Sequence, residues 1–441
     1  MWSRLTALGV CAVALAWLTP STVLAGNVDS FYLGNDAALQ AGAITADAGS
    51  GAIWYNPAGL AGETGLRLDA SANAYSVRFG GHPDFEGSTR STEVTHLSNV
   101  DFSVVPTALT VTRGYGQFGI GLGVFVPTQQ TTVLRTRIVE PPTATRPGID
   151  FGLDYREEVQ EYLAGMLFAL RLHPAVDIGG SLLGHFRSRS ATGALQLSLS
   201  TAEGAAAAAS LYEALDWQQF GQQLALGVRL RPAAGWKVGM VLRFPTMRHY
   251  QVKQVVSMGS SPGAPAQDEF REEFGLATGL MSPGRFHAGV SREAGPVRLA
   301  VDFSYQTPLS RGQDEGDLVA VLNGRVGARY RVSDTVALGG GVFSDRSPRE
   351  RPRQFGEVRL HYYGATLAAD ISNRYVVREQ DGDKTEEPAS MAFGTTVALT
   401  YAVGRGEMVR GAIGGPELYR EALGDVTAHE VMLHVGSTLM R

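Results

Sequence analysis

The sequence predicts an all-β protein: a transmembrane antiparallel β-barrel of about fourteen strands with an N-terminal plug, or hatch, in its lumen. Three observations carry this expectation. Segments of apolar/polar alternation recur along the chain, and several reach about ten residues, the length that crosses a bilayer at a tilt. The connections between them alternate between tight turns and long polar stretches, as in outer-membrane barrels. Beyond residue 25 no apolar run approaches the ~18 residues of a membrane helix, so a chain in a membrane can satisfy its backbone only by closing a barrel.

Residues 1–25 read as a secretory signal. Arg4 supplies the positive start, Leu5 to Leu18 the apolar run, and Val23-Leu24-Ala25 the small residues of a cleavage site, so the mature chain is expected to begin at Gly26. Cys11, the only cysteine, lies inside this apolar run, and its removal leaves no thiol for disulfides or metal ligation. The formal charge passes from 38 − 43 = −5 to 37 − 43 = −6 when Arg4 is lost. Lys237, Lys253 and Lys384 are the only lysines, and no basic block is present, which argues against a nucleic-acid partner.

Residues 26–65 are expected to form the hatch. The stretch Gly42 to Ala61, GAITADAGSGAIWYNPAGLA, is rich in small residues and has neither strand nor helix periodicity. It closes on Asn56-Pro57-Ala58. Proline fixes φ and lacks an amide donor, and asparagine can bond its own backbone neighbours. The tripeptide therefore reads as a generic turn or as a structured hatch element. Phe31 and Tyr32, just upstream, either enter a lumenal pocket in competition with a ligand or pack as ordinary plug residues.

Residues 66–441 are expected to form the barrel. Strands are predicted at 66–79, 102–113, 115–127, 156–172, 175–197, 217–231, 235–256, 283–292, 296–308, 322–331, 335–346, 356–378, 389–404 and 428–440. The clearest alternation is Val297 to Tyr305, with Val297, Leu299, Val301, Phe303 and Tyr305 on one face and Arg298, Ala300, Asp302 and Ser304 on the other. In 115–127, Phe118, Ile120, Leu122, Val124 and Val126 oppose Gly119, Gly121 and Gly123, leaving one face almost bare. Tight turns are expected at Gly114, His173-Pro174, 231–235, 293–295 and 332–334; long connections are expected at 80–101, 128–155, 198–216, 257–282, 309–321 and 405–427. The charged connection Glu379 to Pro388 interrupts this rhythm. One long connection contains a predicted helix near 201–216, where the run Ala205 to Ala209 precedes Leu211, Tyr212 and Leu215 at helical spacing. It reads as a solvated loop helix, or as a lid offering Leu211 and Leu215 to a greasy ligand.

The polar residues exclude several chemistries. Gly114-Tyr-Gly-Gln-Phe-Gly119 matches a dinucleotide fingerprint in letters only, because a strand rather than a helix follows it; a hairpin turn explains it. Asp177, Ser181 and His185 share a face, but a spacing of four along a strand is roughly 13 Å, too far for a nucleophile and its base. No histidine pair has metal-ligand spacing, so no metal, no cofactor and no enzymatic activity are expected. Arg298, Asp302, Arg325 and Arg329 form a charge ladder on inward positions. Such a ladder rigidifies a barrel interior or holds a carboxylate ligand.

In this setting, the small residues around Asp47-Ala48, the aromatic pair Trp54-Tyr55 and Asn56-Pro57-Ala58-Gly59-Leu60 resemble the hatch of the FadL/TodX family of outer-membrane transporters for long-chain fatty acids and hydrophobic compounds. Gln117-Phe-Gly-Ile-Gly121, Leu242-Arg-Phe-Pro245, Leu280-Met-Ser-Pro283, Asp302-Phe-Ser-Tyr305 and Asp345-Arg-Ser-Pro348 resemble later family landmarks, in order. Gln354-Phe-Gly-Glu-Val358 stands where the family often has an Asp/Arg motif, and Leu439-Met-Arg441 where many barrels have a terminal aromatic, which marks a divergent member. The resemblance implies a monomeric barrel in the bacterial outer membrane, built by the barrel-assembly machinery and surrounded by outer-membrane lipid. It implies passive transport of hydrophobic small molecules by loop capture, hatch rearrangement at Asn56, Pro57 and Ala58, and lateral release through the wall. The Gly119–Gly121–Gly123 strand is the candidate opening. A barrel that binds ligand or serves a structural role without transport, and a porin for polar solutes, are the alternatives.

Overall fold

A computed structural model describes residues 32–47, 49, 51–80, 85–87, 105–142, 148–201, 204–261, 267–275, 279–310, 317–352, 358–377, 389–413 and 419–441. The signal, Phe31 and most of 80–101 lie outside the described residues.

The strands form one antiparallel staved cylinder. Its staves are β1 (Thr64–Gly80), β2 (Val105–Tyr115), β3 (Phe118–Glu140), β4 (Gly148–His173), β5 (Val176–Thr201) and β6 (Gly204–Leu230). β7 is broken at Phe244-Pro245 into Trp236–Arg243 and Thr246–Ser261; β8 comprises Gln267–Gly275, Gly279–Ser282 and Arg285–Ala294. β9 (Val297–Gln306), β10 (Val321–Arg331), β11 (Val336–Arg346), β12 (Val358–Val377), β13 (Ala389–Ile413) and β14 (Tyr419–Met440) complete it. A short strand, Phe85–Gly87, runs parallel to the end of β13. Among the described residues the staves thus number fourteen, the expected count. β14 pairs back onto β1 from Arg67↔Met440 to Gly80↔Ala428, which removes both sheet edges. No helix among the described residues is long and apolar enough to cross a membrane.

The predicted alternation sets which face meets lipid. Leu299, Val301, Phe303 and Tyr305 point outward, while Ala300 and Asp302 are buried inside. Outward Phe118, Ile120, Leu122 and Val124 likewise oppose inward Gly119, Gly121 and Gly123. The fingerprint-like Gly114–Gly119 run is a hairpin, with Gly116 at φ 82° in its turn and Gly114 paired with Gly119.

Two expectations about the long connections fail. The staves extend far into 128–155, 198–216 and 405–427: β3 runs to Glu140, β4 starts at Gly148, β13 runs to Ile413 and β14 starts at Tyr419. These extensions lack clean alternation because they need not present an apolar face to lipid. Cross-strand pairing holds them, with additions such as the Arg137–Asp150 ion pair at 3.0 Å and an inward apolar cluster that takes in Met408 and Val426. The helix near 201–216 is absent for the same reason. Residues from Gly204 onward are strand β6, with Leu211 opposite Leu195 and Leu215 opposite Ala191 on one side and the second piece of β7 on the other. Pairing on both edges outweighs the modest helix propensity of the alanine run. Leu211 and Leu215 therefore belong to a long hairpin and form no lid helix.

Leu367 is 75% exposed on the outer face of β12, between outward Tyr363 and Tyr375. Its replacement by arginine is expected to destabilise the barrel by about 2–4 kcal/mol, the cost of a cation near the bilayer midplane. Urea titration read by the mobility difference between unheated and heated samples checks this.

Candidate functional site

The candidate site is the N-terminal segment and the barrel surface that receives it. The segment contains one helical turn and a half, α1 (Asn35–Leu39), and a 3₁₀ turn, Pro57–Leu60. From Tyr32 to Ala61 every described residue is buried except Asp36, which is partly so. Small residues make this possible on both sides. A Cβ on Gly227 would strike Asn56 and Pro57, one on Gly179 would strike Pro57 and Ala58, and one on Gly239 would strike Thr45. The bare face of β3 is used in the same way: Gly119 receives Leu60 and Gly123 receives Ile53, whereas Gly121 faces Thr112 and Leu167 of the adjoining staves.

Asn56 joins the segment to the wall. Its Oδ1 accepts from Ala58 N–H at 3.0 Å and so caps the 3₁₀ turn, with Pro57 at the position where a missing amide costs nothing. Its Nδ2 donates to Thr45 O at 2.7 Å within the segment and to Val228 O of β6 at 3.2 Å. Asn56, Pro57 and Ala58 are thus brought together as one capped, wall-bound turn.

The other end of that turn meets a cationic cluster. Arg229 donates to Gly59 O at 2.9 Å and to Ala61 O at 2.6 Å, and Arg171 donates to Ala61 O at 3.2 Å. These carbonyls end a helical turn, where the partial charge is negative and cations are favoured. Fully buried Asp177 holds the arginines in place, pairing with Arg171 at 3.1 Å, Arg229 at 2.7 Å and Arg231 at 2.5 Å. Asp177 shares a buried inward face with Ser181 and His185, as the alternation predicts, but alternation within one strand does not reveal this role. The tight turn at His173-Pro174, which sets Arg171 opposite Asp177, was the available signal; Arg229 joins only through the β5–β6 register.

Further contacts ring the segment. Asp36 pairs with Arg67 of β1 at 2.7 Å, and Asn35 donates to Thr438 of β14 at 2.9 Å. Asp47 pairs with Lys237 of β7 at 2.8 Å. Buried Arg243 lies over the Trp54 ring at 3.7 Å and donates to the Trp54 carbonyl, a desolvated cation–π contact that sequence reading did not anticipate. The charge ladder faces the segment too. Asp302 accepts from Thr45 N–H at 2.7 Å, Arg298 lies 3.9 Å from Asp47, Arg329 lies 3.9 Å from Asp36, and the Arg325 guanidinium abuts Gly42. Tyr32 is inserted inward, its hydroxyl 2.5 Å from Thr366 Oγ1 of β12 and its ring edge-on to Phe343 at 6.5 Å. These inward polar residues therefore serve the segment, while others, such as Arg189 with Glu157 and Gln223 with Thr246, bond one another across the staves.

No family profile and no curated protein matches the sequence. Solved structures do. The chain is similar to the CymD monoaromatic hydrocarbon channel (12% identity, TM-score 0.59, 93% of this chain and 97% of that chain covered). It is similar to a Pseudomonas aeruginosa FadL homologue (11%, 0.57, 92% and 98%) and to the Ralstonia pickettii toluene transporter TbuX (14%, 0.53, 94% and 99%). At these identities the likeness is one of fold, and it spans nearly the whole of each chain.

Asp177→Asn is expected to cost about 3–5 kcal/mol, because it leaves buried Arg229 without its counter-charge. Arg229→Ala is expected to release the turn at Gly59 and Ala61 and to raise protease cleavage between 57 and 63, read by N-terminal fragment mass while the barrel stays heat-modifiable.

Proposed function

We propose that this chain is a passive bacterial outer-membrane transporter for hydrophobic small molecules, with no enzymatic activity of its own. The observation that carries the reading is the segment enclosed by a closed, lipid-facing barrel, in a fold shared along more than nine-tenths of its length with hydrocarbon channels. Apolar solutes cross a polar cell surface poorly, and a wall opening would deliver them to the bilayer without passing water. The long hairpins β3–β4, β5–β6 and β13–β14 would make the first capture, away from the tight-turn end.

In this reading the segment is the hatch. It is held by directional polar contacts and by an apolar cluster that Leu39, Ile44, Ile53 and Leu60 share with Phe125, Leu163 and Leu167 of the wall. Asn56 is its hinge point, since one side chain caps the turn, ties it to Thr45 and fastens it to β6. Movement of Asn56 would release Pro57 and Ala58 from Gly179 and Gly227 together. The bulge in β3 between Phe125 and Thr128 supports a locally deformable wall beside Gly119 and Gly123, although the ladder itself is intact through those glycines.

Labelled toluene and labelled oleate uptake by cells making wild type or Asn56→Ala/Pro57→Ala tests this. The wild type is expected to exceed an empty-vector control, and the double variant to raise uptake at least twofold by loosening the hatch. Equal uptake in wild type and variant contradicts the hatch role. Equal uptake in all three favours a binding or structural barrel.

A further inference from the structure

The wall has a second irregularity, on the side opposite the sequence-based candidate. β10 and β11 pair from Arg331↔Ala337 only as far as Arg325↔Phe343, although both strands continue, to Val321 and to Arg346. Their outer neighbours are fully paired over the same stretch, β9 to Val321 and β12 to Arg346. Backbone contact between the two strands resumes at the Leu318↔Arg349 bridge and the bond from Val319 N–H to Pro348 O at 2.6 Å. The seam is therefore a bounded window, roughly 20 Å long at ~3.3 Å per residue. Side chains span it in place of ladder bonds. Gly324 N–H donates to Ser344 Oγ at 2.9 Å, and Arg346 N–H donates to Asn323 Oδ1 at 2.9 Å. Such bonds satisfy the backbone yet can swing aside by a rotamer change without unzipping a stave.

On the lipid side the window opens into a groove of about 560 Å³, lined by Val301, Phe303, Val326, Val342, Tyr363 and Tyr401 with Gly324 and Ser344 at its floor. That volume is within the ~300–1,000 Å³ of small-molecule sites. The lining also includes Arg325 and Phe343, the last paired residues at the edge of the window. Behind it stands the N-terminal segment: Tyr32 against Phe343 and Gly42 against Arg325. Withdrawal of the segment would uncover the inner side of the same window.

We infer that the β10–β11 seam is a lateral portal and binding site for an uncharged apolar solute of about one aromatic ring. This rests on the transport reading above. A flat ring is about 3.5 Å thick by van der Waals contact, and the groove offers it aromatic and aliphatic side chains with no charge on the lipid side.

A cross-link tests it. Gly324→Cys/Ser344→Cys places two thiols across the seam in a mature chain expected to contain no other cysteine, and a side chain at Gly324 would meet no closer atom than Phe303 at 3.8 Å. Leu299→Cys/Ala328→Cys, a pair within the intact β9–β10 ladder, is the control. In proteoliposomes, oxidation of the seam pair is expected to cut toluene flux at least tenfold, reversibly on reduction, with the control pair unchanged. Undiminished flux through the oxidised seam pair overturns the portal while leaving transport standing, and identifies the groove as a lipid-filled dent. A second readout does not depend on transport. N-phenylmaleimide, an apolar single-ring probe delivered from the bilayer, is expected to alkylate Phe343→Cys at least tenfold faster than Ala398→Cys, an inward site on β13 away from the seam. Equal rates overturn the portal even where the wild type carries no solute.

Discussion

Every backbone amide and carbonyl facing lipid must find its partner within the protein, and this constraint shapes the whole molecule. It forces the staves to close, from β14 back onto β1. Closure of this many staves leaves an interior that the staves' own side chains do not fill, and here small inward residues such as Gly179, Gly227 and Gly239 leave it wider still. The N-terminal segment occupies that space. The same glycines that would weaken a strand in water are the positions at which the segment lies directly on the wall.

The polar interior follows from this arrangement. Buried charges are tolerated when paired and hydrogen-bonded; several of those inside this barrel pair with the segment or with a residue that touches it, while Arg189 and Glu157 pair stave to stave. Asp177 organises arginines that bind carbonyls of the 3₁₀ turn, Asp47 meets Lys237, and Asp36 meets Arg67. Such contacts fix one position of the segment without making it permanent. Each is a directional bond with an alternative in water, while the apolar cluster that Leu39, Ile44, Ile53 and Leu60 share with Phe125, Leu163 and Leu167 resists opening over its whole area.

Much of this was legible in the sequence. Lipid-facing strands announce themselves because one face must be apolar; Val297 to Tyr305 is read as easily in letters as in coordinates. Asn56-Pro57-Ala58 was recognisable because capping and proline geometry are local. The long hairpins were not legible, since pairing above the membrane requires no apolar face, and the alanine run before Leu211 imitates a helix. The Asp177–Arg229 pair and the β10–β11 seam were beyond reach for another reason. Both are set by register between strands, which no single segment encodes.

The wall holds the segment in the lumen through polar contacts and through the apolar cluster that both share. Hydrogen–deuterium exchange of residues 32–63 in the membrane-embedded protein measures this directly. The expected result is protection of the amides of Thr45 and Ala58 comparable to that of inward-paired stave residues, lost selectively when Arg229 is replaced by alanine. Rapid exchange throughout 32–63 in the wild type, with the staves protected, would contradict it.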